Sequence, residues 1–258
     1  MMQILKDNKT QLMLLGAFIS LYALMALATY LFFPVENMLP DQTMPAALQN
    51  IPKWVLGAAN GFIVLVFYGL LGLAGLWFSV QLGLPKVFRT GDGWKKWLWS
   101  PMLWGAAIGI VFVGADQLFA FLGGGKGFPH PPFPFSVIAS ASAGIGEEIL
   151  FRFFMMGLWA YLLNLWLKRR GATKTALWLG NVIAALAFSA THIPGAMIIL
   201  GIKNFADIPA NIMAELFILN GLLGLIAGDR YIRYGLVAAI GVHFWTDIVW
   251  HVLWPLLQ

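Results

Sequence analysis

The chain has 258 residues, 60% of them hydrophobic and 10% charged, with a formal net charge of +5. A mean hydropathy of +0.79 excludes an ordinary soluble domain, in which about a quarter of residues are charged, and points to a polytopic membrane protein. Cysteine is absent, which excludes disulfides, thiolate catalysis and cysteine-ligated metals.

A span needs about 20 apolar residues to cross a hydrocarbon layer ~30 Å thick. Seven segments qualify: Gln11 to Phe33, Trp54 to Val80, Trp97 to Leu122, Phe135 to Leu167, Thr175 to Leu200, Pro209 to Gly228 and Gly235 to Leu257. The first, behind Lys6 and Lys9, imitates a secretory signal, but its length through Phe33 predicts a retained span. Ile193-Pro194-Gly195 predicts a break in the fifth, leaving room for an eighth short or re-entrant helix between Ala196 and Ile208. The expected fold is all-α: a transmembrane bundle of seven or eight helices forming one membrane-embedded domain over residues 1–258. Residues 1–134 carry little functional signal, and residues 135–258 form the candidate catalytic core.

Basic residues cluster before the first span (Lys6, Lys9), after the second (Lys86, Arg89, Lys95, Lys96), after the fourth (Lys168, Arg169, Arg170, Lys174) and after the sixth (Arg230, Arg233). These positions share one side of the bilayer; the opposite loops, with Glu36, Asp41, Lys53, Lys126 and Asp207, are poorer in Lys and Arg. The positive-inside rule then predicts a cytoplasmic amino terminus. Such clusters between apolar runs are topology signals rather than a nucleic-acid surface, so no nucleic-acid partner is expected. A compact chain without organelle signals predicts a prokaryotic cytoplasmic membrane.

Between the third and fourth spans, GGGKGFPHPPFP over Gly123 to Pro134 cannot continue a helix and reads as a linker, with His130 facing solvent. The tryptophans at span ends, among them Trp94, Trp97, Trp99, Trp104, Trp245, Trp250 and Trp254, read as interfacial anchors.

Ionisable residues inside a span cost about 2.5–3.5 kcal/mol even on the lenient insertion scale, and their default reading is functional. The fourth span contains Glu147, Glu148 and Arg152. Glu148 and Arg152, four apart, share a helical face and can pair, while Glu147 points about 100° away and is left over for chemistry. The fifth span ends in Phe188-Ser-Ala-Thr-His192, and the seventh holds His243 and Asp247 on one face, with His251 a turn further on. Each group has a structural alternative: His192 as a helix-to-helix hydrogen-bonding residue, His243 with Asp247 as a structural pair, and His251 as an interfacial residue. Together they are what water activation requires. A buried carboxylate beside a second one suits a general base, and histidines on neighbouring helices suit an oxyanion donor and a proton donor. Alternatively His192, His243 and a glutamate such as Glu148 could bind zinc, although no H-E-x-x-H helix is present.

In order, Glu147-Glu148-x-x-x-Arg152, Phe188-x-x-x-His192 and His243-x-x-x-Asp247, with a glycine-rich sixth span from Asn220 to Gly228, resemble the CAAX protease and bacteriocin-processing (CPBP, or Abi) family of intramembrane endopeptidases. That family includes the type II CAAX prenyl endopeptidases. The resemblance covers roughly Phe135 to Trp254. It implies an endopeptidase acting on a membrane-associated peptide or protein within the lipid bilayer. In that pattern Glu147 activates water, Glu148 with Arg152 holds or assists it, His192 is a second water-holding residue, and His243 with residue 247 steadies the oxyanion. The prenyl endopeptidases carry Asn where this chain has Asp247, and an ionised Asp cannot donate a hydrogen bond. Asp247 is therefore expected either to be protonated or to fix the His243 tautomer, leaving His243 alone at the oxyanion. A metal-free glutamate mechanism is expected over a zinc one, because adjacent glutamates splay apart and chelate poorly. A non-catalytic immunity or scaffold protein and a proton-coupled transporter are the competing readings.

Overall fold

A computed structural model describes residues 8–33, 50–123, 125 and 127–258. Lys6, Glu36, Asp41 and Lys126, used above as charge markers, lie outside the described residues. Among those described, seven helices are long and apolar enough to cross a membrane: α1 Lys9–Phe32, α2 Lys53–Leu82, α3 Trp94–Leu122, α4 Phe135–Arg170, α5 Thr173–Ile199, α6 Ala210–Tyr234 and α7 Leu236–Leu256. No strand occurs among the described residues. Helices satisfy their backbone polar groups internally, which the hydrocarbon layer demands.

Two expectations need correction. Pro194 does not break the fifth span: α5 runs through it to Ile199, and residues 200–209 form a loop with one tight turn at Phe205–Asp207 rather than an eighth helix. Proline costs a helix the bond to the carbonyl four residues back, here Ala190, and membrane helices tolerate this where neighbours compensate. Arg230 and Arg233 belong to the last turns of α6, not to a loop; Asp229 pairs with both. The α6–α7 connection shrinks to Gly235, whose φ of +97° admits no ordinary side chain cheaply. A Cβ there would stand 2.9 Å from Phe88 Cα and from Val87 O.

Small residues set the helix spacing. A Cβ at Gly61 of α2 would lie 3.1 Å from the Ala23 carbonyl of α1, and one at Gly109 of α3 would lie 2.9 Å from the Thr246 carbonyl of α7. With lipid as apolar as Leu, such close backbone approach supplies the packing energy. Outward positions such as Phe62, Leu70, Leu103, Ile110 and Trp166 are exposed and suited to lipid.

Helix α4 is the centre of the bundle, packing against α1, α2, α5, α6 and α7. Its inner face contributes the fully buried Ile149, Phe153 and Met156 to a core shared with Leu76, Tyr231 and Leu236. At the face bearing the α2–α3 loop, Gln11 of α1 ties down residues 87–88, donating to the Phe88 carbonyl at 3.0 Å and accepting from the Val87 N–H at 3.0 Å. Leu236 N–H donates to Lys86 O at 3.0 Å. The start of α7 is thereby anchored, and with it the register of His243.

Candidate active site

Inside α4 the hydrogen-bonding pattern changes from α to π at Glu148 and stays π through Met156. A second π segment, Ile248–Leu253, begins directly after Asp247 in α7. Such i→i+5 stretches are rare and gather at functional sites. Each of the two helices therefore departs from α-helical geometry at its own candidate residues.

Glu148 and Arg152 are fully buried, with Arg152 Nη1 3.1 Å from Glu148 Oε1. The guanidinium also lies over the Phe188 ring, 4.4 Å from its centre. Gly224 of α6 makes room for it: a Cβ there would stand 2.9 Å from Arg152 Nη2. The glycine-rich sixth span is thus accounted for in part by the arginine it surrounds. Glu147 points elsewhere, its side chain one-third exposed to the cavity described below.

His243 joins α7 to this pair. Its Nδ1 lies 2.8 Å from Glu148 Oε1; an ionised carboxylate only accepts, so Nδ1 donates. Nε2 then faces Glu147 Oε2 at 3.7 Å and Asp247 Oδ2 at 3.6 Å. Spacing along α7 does bring Asp247 beside His243, but the hydrogen bond that orients the ring goes to Glu148. His192 is fixed from its own helix: Nδ1 lies 2.8 Å from the Phe188 carbonyl and must donate to it. The neutral ring therefore keeps Nε2 as an acceptor. Phe188 separates the two histidines, its ring centre 4.7 Å from His192 and 5.6 Å from His243.

Glu147, His192, His243 and Asp247 all line one cavity of about 510 Å³, with Phe112, Leu150, Phe151, Leu216, Leu219 and Leu223 among its apolar walls. Glu148 and Arg152 stand behind that wall. Phe128, Pro129 and Ile199 also line it. They belong to the end of the bundle opposite the clusters at Lys86 and Arg89, Lys168–Arg170, and Arg230 and Arg233.

Several residues with a part here were not singled out from the sequence, or were read otherwise. His130 is half-buried rather than free in solvent: its Nδ1 lies 2.9 Å from Nδ1 of His251, which itself lines the cavity. Trp250 is no interfacial anchor, since it lines the cavity and packs edge-on against Phe112 and His130. Tyr68 of α2 reaches the cavity from outside the motif-bearing half, its ring 4.9 Å from that of Tyr22. Asp116 and Glu215, isolated acids in apolar helices, are buried and meet each other. An acid count over the third and sixth spans would have found this last pair.

For zinc, the donors on hand are Glu148, His192 and His243. Glu148 Oε1 already faces Arg152 and His243 Nδ1, whereas His192, with Nδ1 donating to Phe188 O, keeps Nε2 open as a ligating histidine would. No group of three or more His, Asp or Glu among the described residues is gathered as a metal would need. Glu148 is thus engaged elsewhere while the two histidines keep a ring nitrogen open, and no step below runs through a metal.

A helical membrane bundle that brings carboxyls and histidines from three helices to one largely apolar cavity, with a buried arginine behind its wall, defines a class of intramembrane protein. Comparison with known families makes the class particular: residues 129–249 match the family model described as type II CAAX prenyl endopeptidase Rce1-like. The matched segment, a little under half of the chain, takes in all seven motif positions from Glu147 to Asp247 and supports a CAAX-type intramembrane protease. No curated protein and no solved structure compared with the chain matches it.

Proposed function

We propose that the protein hydrolyses a peptide bond of a membrane-associated substrate inside this cavity, with Glu147 as the general base. The observation that carries the reading is the unequal treatment of the two glutamates: Glu148 is locked by Arg152 and His243, while Glu147 faces the cavity with no arginine. A water held between Glu147 and the free Nε2 of His192 would lose a proton to Glu147 as its oxygen attacks the substrate carbonyl carbon. His243 Nε2, when it carries a proton, would donate to the developing oxyanion, in keeping with stabilisation by a preoriented donor. Collapse of the tetrahedral intermediate breaks the C–N bond, and the amine takes the proton back from Glu147. Glu148 acts through His243, holding its ring in place, and Asp247 flanks Nε2 without donating. The apolar walls suit a substrate segment entering with its side chains in lipid-like surroundings.

The test is a comparison of peptide termini in membranes containing the wild type or the Glu147→Gln variant. Termini that appear only with the wild type support the proposal and identify substrates; identical sets from two folded proteins would overturn it in favour of a scaffold, and pH-driven transport without cleavage would favour a transporter. If positive-inside orientation holds, the cavity mouth faces away from the cytoplasm. The cysteine-free chain allows this to be read directly: Phe128→Cys should react with a membrane-impermeant maleimide added outside, and a cysteine at Arg170 should not.

A further inference from the structure

A second pair of carboxyl groups stands at the same cavity, which one of them, Glu215, lines. Glu215 comes from α6 and Asp116 from α3, and they are 3% and 1% exposed. Asp116 is well supplied with donors: Phe128 N–H at 2.9 Å to Oδ1 and Gln117 Nε2 at 3.1 Å to Oδ2. Glu215 is not. Its polar contact is the Asp116 carboxyl, an acceptor like itself, and its Oε1 has no donor among the described residues.

The other buried or half-buried acids of α4, α6 and α7 have internal counter-charges. Glu148 has Arg152, Asp229 has Arg230 and Arg233, and Asp247 and Glu147 flank His243. Among the described residues no arginine or lysine pairs with Asp116 or Glu215, and the nearby His130 is already engaged with His251. Two acceptors pressed together in an apolar wall need a positive charge or a proton between them, because an unpaired buried charge is costly. Glu215 also lines a neighbouring groove of about 380 Å³ formed by Gly123, Leu200, Ile202, Pro209 and Asn211 at the loop end of the bundle. The unpartnered oxygen thus belongs to one of the two residues, Glu215 and Phe128, that line both the groove and the candidate catalytic cavity.

We propose that Glu215 and Asp116 form a cation subsite that receives a lysine or arginine side chain of the substrate, and that it makes the enzyme selective for a basic residue near the cleaved bond. The proposal rests on the protease reading and deepens it. A free carboxylate at the same place would meet two like groups and be rejected, so specificity here includes a repulsive element.

The test uses the inert Glu147→Gln protein in lipid nanodiscs with apolar hexapeptides, acetylated and amidated at their ends, in which one lysine is moved through the six positions or replaced by norleucine. The expected result is binding at one or two positions at least about tenfold tighter for lysine than for norleucine, equivalent to ~1.4 kcal/mol. Adding Glu215→Gln should bring that ratio to within about twofold, and Asp116→Asn, which keeps an oxygen for Phe128 N–H, should do the same. Equal binding of lysine and norleucine peptides at every position would mean that the pair holds only a proton, and would overturn the proposal. So would a lysine preference that survives both substitutions. Lysine-selective binding without cleavage of the same peptides by the wild type would leave the subsite standing and remove the protease reading; cleavage without lysine preference would do the reverse.

Discussion

Glu147–Glu148 and Asp116–Glu215 are two carboxyl pairs associated with one cavity, and the bundle treats them in opposite ways. The first is adjacent in sequence and split in space: Glu148 is sealed against Arg152 and His243 while Glu147 looks into the cavity. The second is assembled from two helices and left facing itself, with no arginine supplied. An acid buried in a membrane protein is kept there by a counter-charge built into the fold, by a proton, or by a charge that arrives from outside. The first arrangement gives a rigid scaffold for chemistry; the second leaves a vacancy of charge that a substrate can fill.

That contrast can be broken by substitution. The largest effect is expected from Glu147→Gln, which removes the proposed base. Cleavage should fall by about 10²–10⁴-fold, the usual contribution of a positioned general base, while thermal stability measured in lipid stays near that of the wild type because no buried partner is stranded. Substantial cleavage by a folded variant would transfer the role to another group.

The locked pair should behave differently. Arg152→Met leaves the buried Glu148 with His243 alone and should cost up to about 3–5 kcal/mol of stability, as for other buried pairs broken on one side. Combining it with Glu148→Gln should recover a large part of the loss. Non-recovery would mean that Arg152 matters mainly through its stacking on Phe188. For the unlocked pair the sign reverses. Glu215→Gln replaces an acceptor by a group that can donate to Asp116, and should leave stability unchanged or raise it by about 1 kcal/mol, the net worth of one hydrogen bond. A loss comparable to that of Arg152→Met would show that Glu215 is a structural strut and erase the distinction between the pairs.

The same contrast explains what the sequence made legible. Glu147, Glu148 and Arg152 stand within six residues in one apolar run, and His243 and Asp247 are separated by one turn, so local spacing was enough to gather them. Asp116 and Glu215 are 99 positions apart, each alone in its span, and only tertiary packing brings them together. Spacing also paired His243 with Asp247, which the fold does, yet the shorter bond goes to Glu148 because α4 and α7 pack face to face. The seven spans followed from hydropathy alone. The continuation of α5 through Pro194 did not, since a proline's local cost says nothing of the neighbours that offset it. Neither π segment was legible, because a change from i→i+4 to i→i+5 bonding alters no periodicity over so few residues.

The smallest expected effect concerns the connector, whose residues Phe128 and Pro129 help wall the cavity. Asp116 fixes it by accepting from Phe128 N–H, and His130 fixes it through the Nδ1···Nδ1 contact with His251. One ring must donate and the other accept, so the contact requires at least one neutral imidazole. Burial pushes the His130 pKa below the ordinary histidine value, with the Asp116 charge pulling it the other way. A histidine depressed in the native state takes up its proton more readily once the connector opens. Its contribution is therefore complete well above an open-state pKa of about 6.5 and is lost as pH falls below that value. Hydrogen-exchange protection of the Phe128 amide should accordingly decline on acidification from about pH 7 to about pH 5, and His130→Gln, which can still donate to His251, should flatten the dependence. A pH-independent protection factor in the wild type would leave the Asp116 bond as the connector's principal tether and put that carboxylate, rather than the histidines, in control of access to both acid pairs.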